Sequence, residues 1–123
     1  MATLDLDILQ GSLEKLLGDA PAMKGAAIVS PDGLILVSTF KNREQNDKLA
    51  AMTSEMLSAG NMAVREMDLG GFFLNMVFGS DGGIIVRGID EEMVLSAFIS
   101  RGANVGQVVA SVNQTVSRLK SIS

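Results

Sequence analysis

Apolar positions along the chain follow two different spacings, in blocks separated by polar or glycine-rich breaks. In LDLDILQGSLEKLL, residues 4–17, Leu6, Leu9, Leu13, Leu16 and Leu17 recur every three or four residues, the spacing of one face of a helix. Asp5 and Asp7 fall in its first turn, where the helix dipole favours carboxylates, and Gly18 is a plausible stop. The next block, GAAIVSPDGLILVSTF at 25–40, reads as a hairpin with strands Ala26 to Val29 and Leu34 to Val37. Its turn is SPDG: Pro31 presets φ, Asp32 tolerates the next position and Gly33 accepts positive φ. Both runs are apolar on both faces, which predicts a sheet covered on both sides.

After the polar break KNREQND, Asn42 and Gln45 form a capping pair for a helix from about Glu44 to Glu66. Leu49, Met52, Met56, Ala63 and Met67, joined by Leu57 and Val64, make its expected buried stripe. Its other faces carry the small residues Ala50, Ala51, Ser54, Ser58, Ala59 and Gly60, where an ordinary surface helix carries more Lys and Glu. FFLNMVF at Phe72 to Phe78 is the third expected strand, with Phe72, Leu74, Met76 and Phe78 on one face and Phe73, Asn75 and Val77 on the other. Strands from Ile84 to Gly88 and from Met93 to Ser100 follow, with IDEE as the turn between them. In ANVGQVVASVNQTVSRLKSI, Asn104 and Gln107 repeat the capping pair, and Val105, Val108, Val109, Val112, Val116 and Leu119 mark a buried stripe. Valine is a modest helix former, so packing must hold this last helix. The order is α-β-β-α-β-β-β-α in a single domain, residues 1–123. It predicts an α/β (α+β) sandwich with a five-stranded antiparallel sheet and helices on both faces.

Composition narrows the chemistry. A chain of 123 residues hides roughly two-thirds of its unfolded surface, enough for a core without staples. It has neither Cys nor His, so it offers no thiolate, no imidazole base and no Cys/His zinc site. With a net charge of −4 and scattered basic residues, nucleic acid is an unfavoured partner. No stretch approaches the ~18 consecutive apolar residues of a membrane helix, and the acidic start is unlike a secretory signal. The expectation is a soluble cytoplasmic protein with no membrane insertion. Eight methionines suit either gaps in a core or a surface that adapts to a partner.

The glycines of FGSDGGIIVRG, residues 78–88, raise the question of a phosphate cradle. A P-loop needs a Lys after its last Gly and a helix behind it; a dinucleotide fingerprint also needs a helix N-terminus. A strand follows here, so GSDGG reads as a hairpin turn. Asp90, Glu91 and Glu92 lack the spaced loop of a hard-metal site and read as a solvated turn. Asp5, Asp7, Glu14 and Asp19 sit on or near the first helix as surface charge. Arg65, Arg87 and Arg101 are each better read as surface charge or ordinary ion pairs than as an arginine acting on phosphate. No catalytic, cofactor-binding or metal-binding set is expected, and the chain is expected not to be an enzyme.

The ordered pattern GAAIVSPDGLILVS, then DLGGFFLNMVFGSDGGIIVRGIDEEMVLSAFIS, then ANVG opening the last helix, resembles the Roadblock dynein light-chain family. It is most similar to the short, single-domain prokaryotic, MglB-like members, over nearly the whole chain. The resemblance implies a Roadblock/profilin-like fold, dimers joined through third strands and second helices, and service to Ras-like small GTPases as scaffold or activator of hydrolysis. No activating arginine motif is recognisable.

The residues point the same way. A third strand apolar on both faces would recruit other chains if left at an open edge. A twofold mate closes it. The expected homodimer interface is Ala51, Ser54, Ser58 and Ala59 of the second helix with Phe72, Phe73, Leu74, Asn75, Met76, Val77 and Phe78. Lys48, Glu55, Asn61, Met62 and Arg65, with Ser58, form the expected GTPase-facing platform. The alternative is a small-molecule sensor with an apolar pocket between sheet and helices.

Overall fold

The computed structural model describes residues 5–122. Its elements are α1 (Leu6–Asp19), β1 (Met23–Val29), β2 (Ile35–Ser38), α2 (Arg43–Glu66), β3 (Leu74–Gly79), β4 (Gly82–Gly88), β5 (Val94–Ser100) and α3 (Val105–Ile122). The expected order and the five-stranded antiparallel sheet are both present, in the spatial order β2-β1-β5-β4-β3. β1 therefore pairs with β5, from the far end of the sequence, and β3 lies at one edge with a single neighbour.

Alternation along the strands divides the core into two layers. Ala26 and Ile28 of β1, Ile85 of β4, and Leu95, Ala97 and Ile99 of β5 pack against α1 and α3. Ala27, Val29, Val86 and Val94 pack against Leu49, Ala50 and Leu57 of α2 on the opposite face. Both faces of the sheet are covered, as the doubly apolar strands require.

Local signals behave as their chemistry demands. Asn42 Oδ1 accepts from the Gln45 amide at 3.1 Å, and Asn104 Oδ1 accepts from the Gln107 amide at 3.1 Å. Each satisfies one amide that a helix start leaves without a partner. In the SPDG turn the Gly33 amide donates to the Ser30 carbonyl at 3.0 Å, with Gly33 at φ 91°. GSDGG is the β3–β4 hairpin turn, with Gly79 paired to Gly82.

Several boundaries and faces differ from the expectation. The expected helix start at Leu4 lies outside the described residues. Gly18 does not stop α1, which runs to Asp19 and is closed by the Ala20 amide donating to the Leu16 carbonyl just before Pro21. Leu6 and Val105 were expected in buried stripes and are exposed, each as the first residue of its helix.

The buried stripe of α2 is Leu49, Ala50, Thr53 and Leu57, with Met56 and Val64 partly covered. Met52, Ala63 and Met67 are exposed instead. The helix has apolar residues at helical spacing on two faces, and only docking on the sheet chooses between them. Ala50, assigned to the outward small face, is in the core for the same reason.

Pairing of β3 begins at Leu74, so Phe72 and Phe73 precede the strand and do not obey its alternation. Phe72 turns to the α2 face, while Phe73 lies over Arg87 on the other.

Candidate docking surface on α2 and the sheet edge

Specific contacts add to the apolar packing of α2 on the sheet. Thr53 Oγ1 and Ser96 Oγ, both fully buried, share a hydrogen bond of 2.9 Å between α2 and β5. Asn75 Nδ2 of β3 donates to the Met56 carbonyl of α2 at 3.0 Å. The Phe72 ring fills a notch at Gly60: a Cβ there would lie 2.5 Å from Phe72 Cε1. Glycine inside a helix costs about 1 kcal/mol relative to alanine, and here the close approach of the ring explains it.

This docking leaves the outer face of α2 in solvent. Lys48, Ala51, Met52, Glu55, Ser58, Ala59, Met62, Ala63 and Glu66 are all exposed. Beside it runs the free edge of β3, where Val77 and Phe78 are each about half exposed. The Phe78 ring packs against Gly83 of the neighbouring strand, where a Cβ would lie 2.6 Å from its Cδ1. Between α2 and the β3–β4 hairpin opens a groove of about 750 Å³, walled by Met52, Met56, Val77, Ile84 and Phe98, with Lys24, Glu55 and Asp81 as its charged members.

The residues singled out from sequence fall into separate groups here. Ala51, Ser58 and Ala59 lie on the exposed crest of α2, whereas Ser54 is half-buried with its hydroxyl donating to the Pro31 carbonyl at 3.1 Å. Leu74 and Met76 pack partly into the α1/α3 core, and Phe72 and Asn75 serve the α2–β3 contact. Asn61, Met62 and Arg65 share one hollow with Pro31, Ser54, Leu57 and Ser58. Lys48 and Glu55 lie further along the crest, Lys48 at 3.4 Å from Glu44 in an exposed pair of small energetic weight. Sequence reasoning missed Met52 and the groove residues Ile84 and Phe98. Ile84 and Phe98 pack partly against the α2 layer of the core, and their place in the groove depends on where α2 lies on the sheet.

The three arginines also separate. Arg65 and Arg101 are exposed. Arg87 is tied down: its Nε donates to Asn113 Oδ1 at 2.8 Å, a second nitrogen donates to the Gly88 carbonyl, and its carbon centre lies 3.9 Å from the Phe73 ring centroid. Burial lowers its pKa from the ordinary arginine value. Its packing and its partners make it a bolt between β4 and α3. Among the described residues no group of three or more His, Cys, Asp or Glu side chains is arranged to hold a metal ion, and no helix is long and apolar enough to cross a membrane.

The fold is shared with solved structures of low sequence identity. A Roadblock/LC7 domain from Streptomyces avermitilis superimposes with a TM-score of 0.85 at 19% identity, covering 92% of this chain and 95% of that one. MglB of Myxococcus xanthus superimposes with a TM-score of 0.86 at 17% identity, covering 99% of this chain and 92% of that one. Profilin II of Acanthamoeba castellanii gives a TM-score of 0.64 at 14% identity, over 89% of this chain and 94% of that one. A search of curated protein sequences gives no significant match. The family model for the Roadblock/LC7 domain matches residues 9–97, from α1 into β5, and so the chain is a member of the Roadblock/LC7 family.

Proposed function

We propose that the chain is a non-enzymatic, dimeric regulator or scaffold of a small Ras-like GTPase in the cytoplasm. The observation that carries this reading is the unpaired edge of β3, with Val77 and Phe78 exposed beside an outer α2 face of small residues and methionine. An open apolar edge invites a further strand, and a second copy supplies one of matching length and twist. Two α2 helices then lie side by side as a platform, with Lys48, Glu55, Asn61, Met62 and Arg65 its candidate contacts for the GTPase. The resemblance to MglB-like Roadblock proteins supports the choice of guest.

The test has two stages. Sedimentation of the chain alone gives a dimer at micromolar concentration, and Val77→Glu gives a folded monomer. A Ras-like GTPase from the same genome, loaded with a GTP analogue, is then retained by the immobilised dimer and not by the Val77→Glu form. A monomeric parent, or retention indifferent to Val77→Glu, refutes the reading.

One observation favours a second reading, that of a small-molecule sensor. The groove of about 750 Å³ beside α2 has the size and apolar lining of a ligand pocket. A ligand there competes with a second copy for the same wall, because Met52 and Val77 belong to both surfaces. A monomer, as parent or as the Val77→Glu form, that gains thermal stability with an apolar carboxylate such as a medium-chain fatty acid supports the sensor reading; unchanged stability removes it.

A further inference from the structure

Arg87 is a half-buried cation whose partners are all neutral. Asn113 Oδ1 accepts from its Nε, the Gly88 carbonyl accepts from a second nitrogen, and the Phe73 ring lies against its face. No ion pair among the described residues includes it. A guanidinium has five N–H groups, so these two bonds leave three with no partner among the described residues. Burial has already removed part of its hydration, which is why its pKa is lowered. A partly desolvated charge is stabilised by a counter-ion. The guanidinium is planar, so a group stacked on a ring keeps its N–H groups at its rim, where they take a carboxylate in a bidentate grip.

Arg87 lines a hollow of about 630 Å³ at the end of the sheet where β4 stops. Leu57, Phe72, Ile89 and Val94 give it apolar wall. Its charged members balance: Arg87 and Lys120 are positive, Asp90 and Glu91 negative. Both acids are exposed, in a turn where Asp90 Oδ1 accepts from the Glu92 amide at 2.8 Å.

That balance decides the class of ligand. A simple anion gains Arg87 but meets two carboxylates. A simple cation gains the carboxylates but meets Arg87 and Lys120. A small zwitterion with an apolar arm satisfies both signs and the wall together.

We propose that this hollow binds a free α-amino acid with an apolar side chain, its carboxylate held by the open N–H groups of Arg87, its ammonium by the carboxylates of Asp90 and Glu91, and its side chain against Phe72 and Leu57. The hollow is separate from the groove of Met52 and Val77, and of the candidate GTPase contacts it includes only Asn61. The proposal therefore stands or falls independently of the dimer reading.

L-Leucine is the probe, added to the full chain and followed by calorimetry and by amide NMR shifts. The amides of Gly88 to Glu91 shift and saturate with a Kd of about 1 mM or below. Isocaproate, which lacks the ammonium, and isoamylamine, which lacks the carboxylate, each bind at least about tenfold more weakly. Asp90→Asn/Glu91→Gln, changed at an exposed turn, keeps the parent's circular dichroism. It weakens L-leucine about tenfold and tightens isocaproate, because the like charge is gone. Arg87→Gln abolishes binding of L-leucine and isocaproate alike. Should that variant fail to fold, the ligand series and the turn variant decide. Absence of shifts at Gly88 to Glu91 with about 10 mM L-leucine overturns the proposal. So does isocaproate binding as tightly as L-leucine, or a turn variant that binds L-leucine as the parent does.

Discussion

Replacing Thr53 by Val tests how α2 is registered on the sheet. The two side chains have nearly the same shape, so no cavity opens. The loss is the 2.9 Å hydrogen bond to Ser96, with both residues at 0% exposure. Ser96 Oγ then stays buried without its partner, a penalty of about 1–3 kcal/mol. The reverse change, Ser96→Ala, costs less, about 1 kcal/mol or under, because a helical Thr hydroxyl can turn to a carbonyl three or four residues earlier in its own helix. The double variant leaves no orphan and falls close to the parent. For a domain of this length each kcal/mol moves the melting temperature by about 4 °C. Thr53→Val therefore melts roughly 4–12 °C below the parent, while the double variant recovers most of the loss. Urea unfolding of all four proteins at one fixed concentration measures the cycle, since any self-association makes apparent stability concentration-dependent. Strict additivity, or a double variant less stable than Thr53→Val, refutes the claim that this polar pair positions the helix.

Two further changes probe the backbone. Gly25→Ala places a methyl 2.1 Å from Cζ of Phe40, whose ring is already packed at 5.3 Å from Phe98, and costs about 1–3 kcal/mol in urea unfolding; Phe40→Leu in the same chain recovers part of it. Asp68→Gly raises stability by about 0.5–1 kcal/mol. Asp68 sits at φ 55° just past α2, where the Leu69 amide donates to the Val64 carbonyl at 2.7 Å and the Asp68 amide to Arg65 at 3.2 Å, a helix ending that favours glycine. A lower melting temperature for Asp68→Gly counts against that account.

Features closed within a few residues were legible in the sequence. Asn42 and Asn104 cap because their side chains reach amides three positions on, and SPDG and GSDGG turn because their own residues permit the required φ and ψ. The face chosen by α2 was not legible. Met52 and Leu49 are both apolar at helical spacing, and only the shape of the sheet beneath decides which is covered. The paired carbonyl and amide of Phe73 and Gly88, 3.2 Å apart, lie beyond the regular β3 ladder, so the two adjacent phenylalanines part company there. Of the candidate surface, the crest residues Ala51, Ser58 and Ala59 were readable as small residues where charge is usual. The exposure of Met52 and the groove beside it were not.

By itself, the chain's pattern of apolar and polar positions determined eight elements, their types and order, and a sheet buried on both sides, since each follows from spacing and local backbone chemistry. Tertiary structure alone decided that β1 pairs with β5, that β3 is left at the edge, and which side of α2 looks outward. Those outcomes depend on contacts between residues far apart in sequence, whose energies balance only when the whole core closes.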